Sequence, residues 1–172
     1  METIEALRTR RSIRSFKEAS VSDSIKKLIL EAAMSAPSAN NLRPWQFVSL
    51  NEKKLRLKVS DIHPHAEMLK HAPGAIAICG DLNIEKDLNY IALDCAAATE
   101  NMLIAAHALG LGAVWIGIYP REDRMSQLSD ILRLPKHIVP VSIVAFGYPS
   151  EKKSARNHYD ESRVYTNHWA ER

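Results

Sequence analysis

The residues best suited to chemistry lie in three short stretches. Between Arg8 and Lys17 stand five basic residues, Arg8, Arg10, Arg11, Arg14 and Lys17, and no acid. An arginine guanidinium is a planar fork of donors that grips a phosphate through paired hydrogen bonds. Ser12 adds a short hydroxyl donor inside the cluster. If a helix ends near Arg10 and the chain turns there, these side chains could converge on one anion. The other reading is a solvated basic stretch. On a chain of net charge +3, a local cluster points to a compact anionic ligand such as a phosphate rather than a long polyanion.

The second stretch is Ala36-Pro37-Ser38-Ala39-Asn40-Asn41-Leu42-Arg43-Pro44-Trp45, rich in turn residues. Ser38 and Asn41 could bond the polar edge of a ring, Arg43 adds charge, and Pro44 and Trp45 stiffen the exit. A capped loop would use the same residue types. The third is Gly110-Leu-Gly112-Ala-Val-Trp115-Ile116-Gly117. Gly117 inside an apolar strand reads either as close approach of a flat ligand to the backbone or as a bulge. Trp115 reads equally as a stacking platform or as a core aromatic.

Several chemistries are disfavoured. With only six glycines, the chain has neither a Walker loop nor a dinucleotide fingerprint, because Trp115 stands where a third glycine would follow Gly110 and Gly112. No Gly-x-Ser-x-Gly elbow and no zinc-spaced cysteine pair occur. His63-Pro-His65, Glu67 and His71 read as a surface loop rather than a metal site, so no metal is expected. Cys79 and Cys95 read as inert core thiols, Met102 as core, and His107 as a polar-side residue without an obvious partner.

The elements that must position these stretches follow from periodicity. Residues 2–10 predict a short helix. Ile25, Leu28, Ile29, Ala32, Ala33 and Ala36 form one stripe at helical spacing, capped by Ser22 or Asp23 and stopped by Pro37. Trp45–Leu50 predicts a strand, Glu52–Ile62 a helix and Ala75–Cys79 a strand. Residues 86–109 carry the strongest helical pattern, with Leu88, Ile91, Cys95, Thr99, Met102 and Ala106 on one face. Its many alanines predict burial on more than one side, as a core helix or a subunit interface. Ala113–Ile118, residues 122–132 and Ile138–Phe146 predict strand, helix and strand. Pro140 places the last at a sheet edge or near its own start. This order is an α+β or α/β three-layer arrangement. The composition, 46% hydrophobic and 25% charged over 172 residues, is that of an ordinary globular domain. No apolar run has membrane-span length, the N-terminal residues do not read as a signal peptide, and a reducing cytoplasm is the expected compartment.

Taken together, the RRS-x-R segment, PSANN-x-RPW, and the alanine-rich helix leading from Asp94 into GLGAVWIG closely resemble the nitroreductase family of FMN flavoproteins. The resemblance runs from about Met1 to Pro149, and residues 150–172 match loosely. It implies an α+β fold of three layers, a central, mostly antiparallel sheet flanked by helices, and an intertwined homodimer with FMN at the interface. Phosphate contacts would fall on Arg10, Ser12 and Arg14, with Arg11 in the same site. The partner subunit's loop would supply Pro37, Ser38, Ala39 and Asn41. A backbone donor near flavin N5 would fall on Gly117, next to Ile116, and a basic tail ligand on Arg156. Two departures stand out: Arg43 replaces a common glutamine, and the tail pair reads Arg156-Asn-His158, with Lys153 as an alternative to His158. One domain over residues 1–172 is expected, and Tyr159, Val164, Tyr165 and Trp169 in the polar tail, 150–172, predict that the tail lies on a surface, its own or a partner's, with docking on the partner subunit as the expectation.

The expected activity is electron transfer from NAD(P)H to a nitroaromatic, quinone or similar acceptor by a ping-pong route, with no nucleic acid or membrane partner. A flavin carries its own chemistry, which matches a chain without an evident catalytic side-chain constellation. The competing readings are an FMN-binding protein for dehalogenation or flavin handling, and a non-enzymatic phospho-ligand or nucleic-acid module using Arg8–Lys17.

Overall fold

In the structure, a computed structural model describing residues 1–169, the chain runs through α1 (Thr3–Thr9), α2 (Asp23–Met34), β1 (Trp45–Ser49), α3 (Lys53–Asp61), β2 (Gly74–Asp81), α4 (Leu88–Ala108), β3 (Gly112–Gly117), α5 (Glu122–Leu132) and β4 (Ile138–Gly147). The end of the expected docking tail, 170–172, lies outside the described residues. Ser22 caps α2 by accepting the Ile25 N–H, as its residue type predicts. The stripe on α2 buries Ile29 and Ala33. On α4, Ile91, Cys95, Ala98, Thr99, Met102, Leu103 and Ala106 are buried, and so is Asp94, which the apolar pattern did not flag.

The four strands form one sheet in the order β1-β2-β4-β3, and each neighbouring pair is antiparallel. Side chains alternate across it. Ile76, Ile78, Val144 and Phe146 pack with residues of α2 and α4 on one face. Ala75, Ala77, Cys79, Ile143 and Ala145 pack with Val59 of α3 and Leu128 of α5 on the other. Helices on both faces of an antiparallel sheet make the predicted α+β three-layer fold. Because both faces of β2 and β4 are covered, these strands read as continuous apolar runs rather than alternating ones.

Pro140 is not at an edge strand. It is the third residue of the internal strand β4, opposite Cys79 where the β2–β4 register shifts, and β3 begins its pairing only at Ser142. The missing N–H therefore falls outside the regular ladder. A polar seam runs through the α4–β4 core: Thr99 Oγ1 donates to the Cys95 carbonyl at 2.7 Å, which leaves it to accept from Ser142 Oγ at 2.8 Å.

Candidate functional site

The basic stretch begins where α1 ends. Arg10 leaves helical geometry (ψ 133°) and the chain turns along the free side of β3. There Ser12 bridges Ala113, and Ile13 N–H donates to the Ala113 carbonyl at 3.0 Å. Residues 150–154 return against the same stretch. Ser150 N–H donates to Ser15 O at 3.0 Å. The Arg14 and Ser15 amides donate to Glu151 Oε1 at 2.5 and 3.2 Å. The Arg14 amide above all holds the Glu151 carboxyl below the usual carboxylate range. Lys153 Nζ donates to Ser12 O at 2.8 Å and pairs with Glu151 at 3.1 Å, and Arg11 donates to the Ser154 carbonyl.

These contacts bring the two ends of the chain together. Arg8, Arg10, Arg11 and Ser12 on one side, and Arg156, Asn157 and His158 on the other, line a cavity of about 940 Å³. Arg10 also pairs with Glu100 at 3.3 Å. Arg14 is exposed and is not among the lining residues. Lys153 is engaged by the Ser12 carbonyl, so of the two alternatives it is His158 that lines the cavity beside Arg156.

From Ala113, beside Ser12, β3 runs four residues to Gly117, about 13 Å at strand rise. Ile118 N–H donates to Val141 O at 3.1 Å. That bond sets the alternation, so Gly117, paired with Ser142, turns its own N–H and C=O away from β4, toward the open side of β3. A Cβ added to Gly117 would meet nothing within 4 Å. Ile116 beside it is buried, whereas Trp115 is exposed on the same edge rather than in the core. His63 departs from the surface-loop expectation. It is 6% exposed, and its Nε2 lies 2.9 Å from the Gly117 carbonyl.

The loop Pro37–Arg43 is shaped from within and from α4. Asn40, Asn41 and Arg43 sit at φ of 51°, 58° and 54°, a left-handed region that costs a non-glycine residue roughly 1 kcal/mol or more. Three bonds hold them there. Ser38 Oγ accepts the Arg43 N–H at 2.9 Å, Asn41 Oδ1 accepts from Arg43 Nε at 2.8 Å, and Asp94 Oδ1 accepts the Ala39 N–H at 2.9 Å. Asp94 is 5% exposed, and its Oδ2 is buried without a partner among the described residues. The loop feeds β1, which is three strand positions from β3. That separation is about 14 Å at the usual strand spacing. The loop's side-chain bonds run to itself and to α4, and it feeds the sheet edge opposite the one that carries Gly117.

The nitroreductase family model matches residues 7–75 and 62–148. The chain belongs to the nitroreductase family. A relative from Methanothermobacter thermautotrophicus, provisionally assigned as an NADH dehydrogenase/NAD(P)H nitroreductase, is 40% identical over 98% of this chain and 88% of its own length. A solved structure from Parabacteroides distasonis with the same provisional assignment superposes with a TM-score of 0.93 at 37% identity, covering 97% of this chain and 98% of that one. The solved FMN-dependent nitroreductase of Clostridium difficile gives a TM-score of 0.90 at 31% identity, covering 96% and 99%.

Other side chains of this nitroreductase-family chain have simpler roles. Cys79 and Cys95 are fully buried, and burial pushes the Cys79 thiol up to about 12 and the Cys95 thiol higher still, so both stay protonated. His107 does have a partner: its Nε2 lies 2.8 Å from Thr9 Oγ1, which ties α4 to α1. Among the described residues no group of three or more His, Cys, Asp or Glu could hold a metal ion, and no helix is long and apolar enough to cross a membrane.

Proposed function

We propose that this chain is a cytoplasmic, homodimeric oxidoreductase that uses FMN to pass electrons from NAD(P)H to a nitroaromatic, quinone or similar acceptor by a ping-pong route. One observation carries the reading: Ser12, in the wall of the basic cavity, bridges Ala113, and the bare Gly117 edge lies four residues, about 13 Å, further along the same strand. That arrangement fits an elongated ligand with an anionic end and a flat ring. FMN, when bound, supplies the hydride chemistry. Arg10, Arg11, Ser12 and Arg156 hold the phosphate end from the cavity wall, and Arg14, exposed outside that wall, adds only positive charge nearby. Gly117, beside Ile116, admits the ring and offers an outward N–H. Pro37, Ser38, Ala39 and Asn41, with Arg43, complete the site from the partner subunit, a reading supported by the place of β1 at the sheet edge opposite β3.

The dimer reading has independent support. α4 keeps a second apolar face, with Leu93 65% and Tyr90 48% exposed, and Ile4 and Leu7 of α1 are exposed as well. In the tail of the proposed single domain, 1–172, Trp169 and Tyr159 are more than two-thirds exposed, as a segment docking on a partner would leave them in a lone chain. Leu93→Arg is expected to convert the dimer to monomer in light scattering and to cost most of the FMN affinity. A Leu93→Arg dimer with wild-type affinity would place the interface elsewhere.

The function is tested by titrating purified protein with FMN, then adding NADH or NADPH without oxygen. Saturable binding followed by bleaching of the flavin band is expected, with reoxidation by an added quinone. Protein that gains no flavin absorbance ends the reading. A yellow protein that neither NADH nor NADPH bleaches would assign a non-reductase flavin role instead.

A further inference from the structure

The His63 imidazole makes three close polar contacts, and they select one tautomer. Nδ1 faces the His65 N–H at 3.1 Å and can only accept there. Nε2 lies 2.9 Å from the Gly117 carbonyl and 3.1 Å from Arg124 Nη1. With the proton on Nε2, the ring accepts from His65 and donates to Gly117, satisfying two contacts. With the proton on Nδ1, it satisfies only the one from Arg124. The neutral Nε2–H form is therefore the one present, and Arg124 acts on it as a nearby positive charge. Burial first, and then Arg124, push the imidazole below the usual histidine range, against the pull of the Gly117 carbonyl.

Gly117 needs such a partner. It is the last residue of β3, its N–H and C=O face away from β4, and no Cβ restricts its backbone. We propose that His63 is a positioning residue that pins the Gly117 carbonyl through Nε2–H and thereby aims the adjacent Gly117 N–H at the ring of a bound flavin. This role rests on the flavin reading above. It assigns to the His63-Pro-His65 turn a share in setting the cofactor's binding and reduction potential.

Glutamine places an amide nitrogen near the position of histidine Nε2, so it can keep the donor, whereas leucine cannot. His63→Leu is expected to weaken FMN and riboflavin alike by about five- to tenfold, the scale of one net hydrogen bond. It should also shift the bound-flavin midpoint potential away from the wild-type value. His63→Gln should stay within about twofold of wild type in both affinities and restore the potential. If His63→Leu does not fold, His63→Glu takes its place, since Arg124 can pair its carboxylate while the donor is still missing. It should lose ring affinity as His63→Leu would. Donor-less variants that bind both flavins with wild-type affinity and unchanged potential overturn the role. A glutamine variant as impaired as leucine also overturns it, because the ring would then act only by packing. Wild-type protein that takes up no flavin overturns the flavin reading itself, and this role with it.

Discussion

Gly117→Val is expected to weaken FMN binding by about ten- to a hundredfold while leaving the melting temperature of the apoprotein unchanged. The other five of the chain's six glycines set the contrast. An added Cβ would lie 2.6 Å from Phe146 at Gly74, 2.1 Å from Ile91 at Gly80, 2.5 Å from Ile13 at Gly112 and 2.3 Å from Pro73 at Gly147. Gly110 ends α4 at φ +80°, the usual left-handed cap. Each of these has a reason inside the fold. Gly117 has none: its φ is ordinary and a Cβ would meet nothing within 4 Å. A β-branched residue suits a strand, so the chain alone tolerates valine. A ligand lying flat on that backbone does not, and overpacking costs about 1–3 kcal/mol. Fluorescence titration with FMN, thermal melting and light scattering of the same preparation separate ligand, fold and dimer effects. Gly80→Ala is the opposite control, expected to lower stability by about 1–3 kcal/mol and to spare the site geometry. Wild-type FMN affinity in Gly117→Val would mean that the bare edge is not where the flavin lies.

Periodic features of the sequence carried over well, and contacts between distant segments did not. The α4 stripe, the Ser22 cap and the burial of Cys79 and Cys95 are local or one-dimensional, so spacing shows them. Pro140 left two options open, because a sequence does not say which strand flanks β4 at its start. Asp94 sat inside an apolar helix pattern and looked like any polar interruption. Its purpose, holding the Ala39 amide across 55 positions, exists only in three dimensions. His63 reads as a surface residue in the sequence for the same reason, since its partners Gly117 and Arg124 lie 54 and 61 residues away. The pairing of Arg10 and Arg11 with Arg156 was reached only through the family resemblance. No local rule joins residue 10 to residue 156, and the contacts that do so, from Glu151, Lys153 and Ser154, are made by side chains and carbonyls of a segment without regular structure.

Alanine at Arg10 and Arg156 together is expected to cut the preference of the protein for FMN over riboflavin by about a hundredfold or more. The two ligands differ by the phosphate alone, so their affinity ratio reads the anionic end and nothing else. Arg10 and Arg156 approach the cavity from opposite ends of the chain. A hydrogen bond to a charged group is worth about 1.5–3 kcal/mol, so each loss should cost FMN roughly tenfold to a hundredfold and leave riboflavin unaffected. The two positions should not be equal. Arg10 also neutralises Glu100 at 3.3 Å, so Arg10→Ala removes a cation and leaves an uncompensated carboxylate near the phosphate. It should therefore be the worse single variant, and adding Glu100→Gln to it should recover part of the lost affinity. Arg156→Ala should gain nothing from Glu100→Gln. The remaining binding of the double variant should depend less on salt than that of the wild type, because fewer ionic contacts are left to screen. A double variant whose preference for FMN equals that of the wild type would move the phosphate out of this cavity, and with it the alignment of cavity and Gly117 on which the flavin reading stands.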